Sequence, residues 1–344
     1  SSLALRIDGQ VVATRLAPDD FVRSTSVSQS LPINTTLLSD GQHTIDIVAR
    51  DRFAKSATSV STTINVDNLK PIVSISSPTS GTIVDGTSPV NVISTGSDAG
   101  GITGAELLID GSVRDTASFS VATSHSDTLA WNPLADQIGS HSIRVRYTDR
   151  AGNTQLSPAS TITIDRSGPS SVAITSPAAG TTAVSTVSVS AAAVDDVAIT
   201  RLEWVVDGVQ VAVQQAPGDF VAASTITRSA SWNSSLSTDG THELTVIARD
   251  ALGRSLTSSA VIVSIDNSPP APVLVTSPAN GARVAGIVPL QGTATKTGST
   301  IASVQWIIDG EPAGTFTAPA AFPSAATAIH TFSWDTLTAS VPDG

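Results

Sequence analysis

The 344-residue sequence predicts an all-β protein made of tandem β-sandwich domains. Three observations predict this class. The chain repeats itself with a period of roughly 100 residues, apolar and polar residues alternate along short segments, and Gly, Pro, Asp and Asn separate those segments. Alternation with a period of two is typical of half-buried β-strands, and no comparable helical period is present.

Sequence markers define the repeat. Four kinds of marker recur at nearly constant spacing: a Ser-Pro pair, an Asp-Gly pair, a histidine followed by an aspartate, and a tryptophan. The markers are Pro78, Pro177 and Pro278; Asp8, Asp110, Asp207 and Asp309; His43, His141 and His242 with Asp51, Asp149 and Asp250; and Trp131, Trp232 and Trp334, with Ile33 in the first copy.

These markers divide the chain into four repeats, numbered 1 to 4 below. They span residues 1–68, 69–167, 168–268 and 269–344. Repeats 2 and 3 contain every marker. We expect repeat 1 to lack the N-terminal strands of the domain and repeat 4 to lack the C-terminal strands.

Each repeat reads as a set of short strands. In repeat 3, for example, His242, Leu244, Val246 and Ala248 form an inward row, and the residues between them lie in or near solvent. The Asp-Gly pairs predict two-residue hairpin turns, since both positions of such a turn need positive φ. About seven strands per 100 residues favour an immunoglobulin-like sandwich, with Trp204, Trp306, Leu107 and Leu5 at the centre of the third strand.

Short proline-containing linkers separate the repeats. They run from Asp67 to Pro71, from Asp165 to Pro169 and from Asp266 to Pro269. Three or four residues reach roughly 10–13 Å when fully extended, so successive domains must nearly touch. Proline also stiffens each linker. The sequence therefore predicts that the sandwiches form an extended rod.

The same residues carry a family resemblance. The order Ser-Pro-x-x-Gly, Asp-Gly, Trp-Asn, Asp-Gly-Thr-His, Ala-Arg-Asp and Ile-Asp-Asn, read from Pro177 to Asn267, resembles the bacterial Ig-like (Big-type) repeats of surface adhesins and large secreted proteins. The resemblance covers the whole chain. It implies a cell-surface or secreted protein whose repeats serve as stalks, fibres or spacers. The resemblance does not choose among these roles, because one fold serves several functions.

Composition excludes several classes of function. The net charge is −11 and only 14% of residues are charged. This composition argues against binding to nucleic acid and against binding to an anionic membrane surface. The absence of cysteine excludes disulfides and thiolate metal sites. No apolar run is long enough to span a bilayer. No nucleophile, phosphate-binding or zinc-protease motif is present, so we predict no catalytic residues and no enzyme activity.

Carboxylates gather at the predicted domain junctions. The strand directions of a seven-stranded sandwich bring one group to the first complete junction and another to the next. The first group is Asp67, Asn68, Asp98 and Asp149, with Asp40 as a further member, and the second is Asp165, Asp195, Asp196 and Asp250. Clustered carboxylates can bind calcium, the one cofactor that the sequence suggests. The alternative is ordinary turn chemistry, which Asp and Asn favour, and Lys296 stands where repeat 4 should be acidic.

Two other features allow alternative interpretations. A loop with an aromatic residue recurs at Phe21, Phe220 and Phe322, and these rings either contact neighbouring copies or pack on their own sheet. The three marker histidines either mark a site or bond the preceding turn at the core edge, which is the interpretation we favour. Both Asn34-Thr35-Thr36 and Asn233-Ser234-Ser235 match a glycosylation sequon but open a turn.

The sequence thus favours a non-catalytic structural region of an extracellular bacterial fibre, either an adhesin stalk or a filament subunit. Its expected partners are neighbouring domains of the same chain and other copies in a filament. The alternative is a set of accessory or carbohydrate-binding spacer modules of a large secreted enzyme. The tryptophan positions look internal, which argues against a sugar-stacking platform.

Overall fold

The computed structural model describes residues 1–297 and 299–337. The all-β prediction is confirmed: the described residues form twenty-five strands and three single-turn 3-10 helices. By its internal contacts the chain divides into two units, residues 1–166 and 167–344. The end of repeat 4, residues 338–344, lies outside the described residues. Among the described residues, no helix has the length and apolar character needed to cross a membrane.

Repeat 1 folds as one five-stranded sheet. Its order is β2-β1-β3-β4, and β5 pairs with β3. The elements are β1 (Ser2–Ile7), β2 (Gln10–Leu16), the 3-10 helix η1 (Thr35–Leu37), β3 (Gly41–Arg50), β4 (Ser56–Thr58) and β5 (Thr62–Val66). Buried Leu5, Ile7 and Val66 lie on the inner face of this sheet.

Repeat 2 is a complete sandwich. Its elements are β6 (Ile72–Ser77), β7 (Thr82–Val84), β8 (Val90–Ile109), β9 (Ser112–Trp131), η2 (Pro133–Ala135), β10 (Gly139–Asp149), β11 (Thr154–Leu156) and β12 (Ser160–Ile164). The strand order is β6-β8-β10-β12-β7, with β9 on β8 and β11 on β10. The first part of β8 pairs with β6 and the last part with β10. One strand of 20 residues therefore replaces two of the short strands that we predicted, and it passes from one layer to the other.

Repeat 3 has the same topology. Its elements are β13 (Ser171–Ser176), β14 (Thr182–Ala183), β15 (Thr186–Val206), β16 (Val209–Gln215), β17 (Ala223–Asn233), η3 (Ser234–Leu236), β18 (Gly240–Asp250), β19 (Ser255–Thr257) and β20 (Val261–Ile265). The long strand β15 pairs with β13 and β17 over its first part and with β16 and β18 over its last part.

Repeat 4 contains the strands that precede the histidine marker. They are β21 (Leu274–Ser277), β22 (Ile287–Thr295), β23 (Ser303–Ile308), β24 (Glu311–Thr317) and β25 (Thr327–Asp335). Strands β21, β22 and β25 form one sheet, and β23 pairs with β24 in another.

The cores lie where the sequence places them. Leu107 in repeat 2 and Trp204 in repeat 3 are fully buried, and Leu5 and Trp306 are 4% and 7% exposed. Trp131 and Trp232 are also buried, on the strand that precedes each 3-10 helix. The predicted positions of the third-strand residues and of two marker tryptophans, Trp131 and Trp232, are therefore confirmed, whereas the third, Trp334, is half-buried.

The Asp-Gly pairs form the predicted hairpins. Asp207 and Gly208, for example, have φ of 49° and 80°, and Val206 pairs directly with Val209 across the two-residue turn. Aspartate tolerates this left-handed conformation better than most residues because its short side chain can bond locally. That side chain also contributes to the contacts described below.

The second residue of each linker is bonded to the repeat before it. The Asn68 side chain donates to the carbonyl oxygens of Thr35 and Leu38, at 2.9 and 3.3 Å. Asn267 makes the equivalent bonds in repeat 3, and Arg166 donates to two carbonyl oxygens beside η2 in repeat 2. These bonds satisfy carbonyl groups of the 3-10 turn and tie the start of the linker to that turn.

Candidate functional site

Three aspartates meet where repeat 1 joins repeat 2. Asp67 follows β5, Asp98 lies where β8 changes layer, and Asp149 ends β10. One carboxylate oxygen from each lies within 4.8 Å of the other two. Asp98 and Asp149 are buried and Asp67 is half-buried. The structure therefore brings together three of the four carboxylates in the first group that the sequence predicted.

Hydrogen bonds hold this cluster in place. Asp98 Oδ1 accepts from the Gly100 amide at 2.7 Å. Asp149 accepts from both the backbone and the side-chain nitrogen of Asn153, at 2.7 Å each. The same Asn153 side chain donates to the Asp67 carbonyl oxygen at 3.0 Å, across the junction. Asn153 was not among the predicted residues, although its spacing after Asp149 places it in the turn that follows β10.

The cluster of Asp67, Asp98 and Asp149 concentrates negative charge in a small volume. Burial raises the pKa of Asp67, and the neighbouring charges of Asp98, Asp149 and Asp40 raise it further. Within the described ranges, none of the three clustered aspartates forms an ion pair with a basic side chain. The arrangement therefore favours a cation, because three carboxylates otherwise repel one another.

The carboxylate of Asp67 occupies the space beside the Cα atom of Gly100. A Cβ atom built on Gly100 would lie 1.9 Å from Asp67 Oδ2. A side chain at position 100 would therefore displace Asp67 from the cluster. This close approach gives Gly100 a role that the sequence alone did not indicate.

The donor set fits calcium. Oxygens bound to one calcium ion lie 2.3–2.6 Å from it, so two such oxygens are separated by at most about 5 Å. The three carboxylates of the cluster meet that limit. Two of them, Asp67 and Asp98, also line a cleft together with Asp40 and with residues 99–100 and 150–151. Hard oxygen donors of this kind suit calcium better than a transition metal.

The remaining members of the first group have different contacts. Asp40 accepts from the Asn68 amide at 2.7 Å, and the Asn68 side chain bonds the 3-10 turn. Both residues serve turn and linker structure, as the alternative interpretation predicted for them.

The second predicted group lies partly in each of the two units. Asp165 is fully buried at the end of repeat 2. In repeat 3, Asp195 accepts from the amides of Val197 and Ala198, and Asp196 accepts from the Ser167 hydroxyl. Asp250 pairs with Arg254, the residue that replaces Asn153, at 2.6 Å. A shared calcium site for this group stays a prediction.

The third junction carries a positive charge instead. Lys296 pairs with Asp266 and donates to the Ser268 carbonyl oxygen. Hydrogen bonds from Lys296 and Ser299 lower the pKa of Asp266. The sequence indicated that position 296 departs from the acidic pattern, but it did not show which residues the lysine contacts.

The marker histidines form a repeated clamp. In repeat 3, His242 Nδ1 contacts Asp207 Oδ2 at 2.6 Å, and Nε2 contacts the Thr238 carbonyl oxygen at 2.7 Å. His43 and His141 make the same pair of contacts, with Asp8 and Ser39 and with Asp110 and Gln137. The prediction that these histidines bond the preceding turn is confirmed. Their bond to the Asp-Gly pair was missed, although both markers recur together in the sequence.

Each clamp favours a charged imidazole ring. The carbonyl oxygen can only accept, and so can the carboxylate, so both ring nitrogens donate. The bonds to Asp207 and to Thr238 accordingly raise the pKa of His242. The bond to Asp8 and then that to Ser39 raise the pKa of His43. Burial opposes the charge of His141, but its bonds to Gln137 and Asp110 outweigh burial and raise its pKa.

The loop phenylalanines pack inside their own repeats. Phe220 and Phe322 are each 5% exposed, and Arg228 lies over the Phe220 ring at 5.0 Å. Phe21 is half-buried. Buried rings cannot serve as assembly contacts in this state, so the structure favours the alternative interpretation for Phe220 and Phe322.

Two features concern the binding and the attachment of carbohydrate. The buried Trp131 and Trp232 present no open ring to a sugar, which argues against a stacking platform. Asn34 and Asn233, the sequon residues, cap their 3-10 helices by accepting from the amide two residues on.

Comparison with known proteins supports the fold. A family model described as a bacterial Ig domain matches residues 71–145, 171–246 and 272–344. No curated protein matches the chain significantly.

Several solved structures are similar in fold. The fibronectin(III)-like modules of Clostridium thermocellum CbhA are 19% identical, with a TM-score of 0.34, and the match covers 57% of this chain and 94% of that one. A Ca²⁺-stabilised adhesin that helps an Antarctic bacterium bind ice is 19% identical, with a TM-score of 0.33, covering 96% and 81%. At these identities and TM-scores the likeness carries no argument about this chain.

Proposed function

Because the chain belongs to the bacterial Ig domain family, we propose that it is a structural region of an extracellular bacterial fibre, either the stalk of an adhesin or a filament subunit. Domains of this family are in general structural modules. The observation that carries the proposal is the repeated bonding of each linker to the repeat before it, through Asn68, Arg166 and Asn267. Such bonds restrain the start of each linker, as expected of a spacer rather than of a flexible tether.

The bonded linkers restrict bending. A residue fixed in one conformation gives up about 1–2 kcal/mol of conformational entropy, and side-chain and backbone bonds at the linker start offset this cost locally. At the first junction Asn153 adds a direct bond across the boundary. We propose that successive domains are thereby held end to end, so that the region transmits force and sets a distance from the cell surface.

Calcium would strengthen the first junction. We propose that Asp67, Asp98 and Asp149 hold one calcium ion, since their carboxylates are close enough to share it and have no basic partner among the described residues. Asp67 belongs to repeat 1 and the other two to repeat 2. A shared ion therefore ties the end of one domain to the loops of the next.

We expect calcium to stabilise this junction measurably. At a calcium concentration about 100-fold above the dissociation constant, linkage predicts about 2.7 kcal/mol of stabilisation. Calorimetric titration should show binding, and EDTA should lower the melting temperature. Asp98→Asn should abolish both effects, while its amide oxygen can still accept from Gly100. Asp19→Asn, at an exposed position, is the matched control.

A second variant tests the same site by shape. Gly100→Ala should also weaken calcium binding, because its Cβ would meet Asp67. If the wild-type chain shows no heat with calcium and its melting temperature ignores EDTA, the calcium proposal is wrong and turn chemistry explains the aspartates.

Imaging of native material tests the function itself. We expect immunogold labelling of intact cells to place the chain outside the cell, on extended structures seen by electron microscopy. Ordered filaments would identify a filament subunit, and isolated beaded strands would identify a stalk. Labelling confined to the cell interior would contradict the proposal.

A further inference from the structure

Lys296 of repeat 4 contacts the end of repeat 3. Its ammonium group pairs with Asp266 and donates to the Ser268 carbonyl oxygen. Its own backbone amide donates to the Ala326 carbonyl oxygen at 2.7 Å, within repeat 4. The side chain thus reaches from a fixed position in one domain to the last residues of the domain before it.

This lysine is buried. It is 6% exposed, and the side chain of Asp266 is 11% exposed. Removing an ammonium group from water costs free energy. A protein therefore tolerates a buried ammonium group only when an opposite charge and hydrogen bonds offset that desolvation cost. The pair therefore differs from an exposed ion pair, whose contribution is small.

The receiving residues are also held in place. Asp239 accepts from the amides of Asn267 and Ser268, at 2.6 and 3.2 Å. The Asn267 side chain bonds the 3-10 turn of repeat 3. The carbonyl group of Ser268 is thereby presented to Lys296 by a fixed backbone.

Sheet register shows that Lys296 occupies the position of Asp98. The serine of each Ser-Pro pair is paired across the sheet with Ile93 in repeat 2 and Gln291 in repeat 4. Five residues further along lie Asp98 and Lys296. In the same way, Gly41 pairs with Val66 and Gly240 with Ile265, so Asp67 and Asp266 are equivalent.

At the position of Asp98 the two junctions therefore carry opposite charges. At the first, Asp67 faces Asp98, and at the third, the equivalent Asp266 faces an ammonium group. We infer that the ammonium group of Lys296 takes the place of a bound cation and fixes repeat 4 to repeat 3. The third junction therefore stays ordered without a divalent ion. The comparison with the first junction rests on the proposed calcium site, whereas the contacts of Lys296 do not.

Hydrogen exchange of the full chain tests this inference. The amides of Asn267 and Ser268 report on the third junction and the amide of Asn68 on the first. In the wild-type chain, we expect the third junction to exchange equally slowly in EDTA and in calcium chloride. Lys296→Met, of similar size and without charge, should accelerate exchange there at least about tenfold in both buffers, because it leaves the carboxylate of Asp266 buried without its ion-pair partner.

Controls separate the charge from general damage. Lys296→Arg should retain most of the protection, and Lys70→Met, at an exposed position, should change nothing at the third junction. Unchanged exchange in Lys296→Met, or a third junction that loosens when EDTA is added to the wild type, would overturn the inference.

The outcome is distinguishable from failure of the calcium proposal. If the first junction ignores EDTA while Lys296→Met still loosens the third, the calcium site is wrong and the lysine inference stands. The reciprocal variant Asp98→Lys should leave the Asn68 amide protected in EDTA. Loss of that protection would show that the two positions are not equivalent.

Discussion

Replacing Trp204 with alanine is expected to destabilise repeat 3 by about 3–5 kcal/mol, which is the usual cost of deleting a buried aromatic side chain. Trp204 is fully buried and belongs to the core cluster of repeat 3, together with Leu202, Trp232 and Val246. A domain of this size is stable by only about 5–15 kcal/mol, so the loss removes a large fraction of the total.

Local exchange in urea is the appropriate measurement, because a chain of several domains does not unfold in one step. The amides of β18 should lose protection at lower urea in Trp204→Ala, while those of β10 in repeat 2 keep theirs. Leu236→Ala is the control, since Leu236 is 86% exposed and its loss should cost less than about 0.5 kcal/mol. Equal effects of the two substitutions would contradict the assignment of the core.

Neutralising the histidine clamp should weaken repeat 3 and change its response to pH. Asp207→Asn keeps the left-handed turn and an oxygen for the Glu243 amide, but it removes the charge that faces His242. Charge-assisted hydrogen bonds contribute about 1.5–3 kcal/mol, and we expect about 1–2 kcal/mol here because half of the Asp207 side chain is exposed.

The direction of the pH effect follows from the two pKa shifts. The pKa of His242 is raised, so its contribution is complete below the unfolded value of about 6.5 and is lost as pH rises through the folded value. The pKa of Asp207 is lowered, first by its bond from Glu243 and then by His242, so its contribution is lost as pH falls below about 4. The clamp therefore stabilises most between about pH 4 and 6.5.

The urea midpoint of β18 amides tests this expectation. In the wild type it should fall between pH 6 and pH 9, and Asp207→Asn should flatten that dependence. Asp219→Asn, in a loop of the same repeat, should leave the dependence intact. A wild-type midpoint that rises over this range would contradict a charged His242.

Periodicity predicted most of the fold. Alternating residues around His242 and the Asp207-Gly208 pair were sufficient to predict strands and turns, because side-chain direction and turn conformation are local properties. The length of β8 was not predictable in the same way. Whether two strands join across residues 98–101 depends on bulge geometry and on the partners β6 and β10.

The candidate site was predictable only in part. Strand direction placed Asp67, Asp98 and Asp149 at one end of the domain, and the structure brings them together. The same argument included Asn68, whose side chain bonds a turn of its own repeat instead. Direction along a strand specifies which end a residue occupies, whereas side-chain contacts depend on competing acceptors nearby.

The central proposal is that the chain is a structural element whose short, bonded linkers hold successive repeats end to end. Small-angle X-ray scattering of the purified chain in calcium tests it most directly. A repeat with strands of about 11 residues at about 3.3 Å each is about 36 Å long, so two complete and two partial repeats held end to end should form a rod of roughly 120 Å with a radius of gyration near 35 Å. A compact globule of this length would give about 20 Å, and a measured value close to that would contradict the claim.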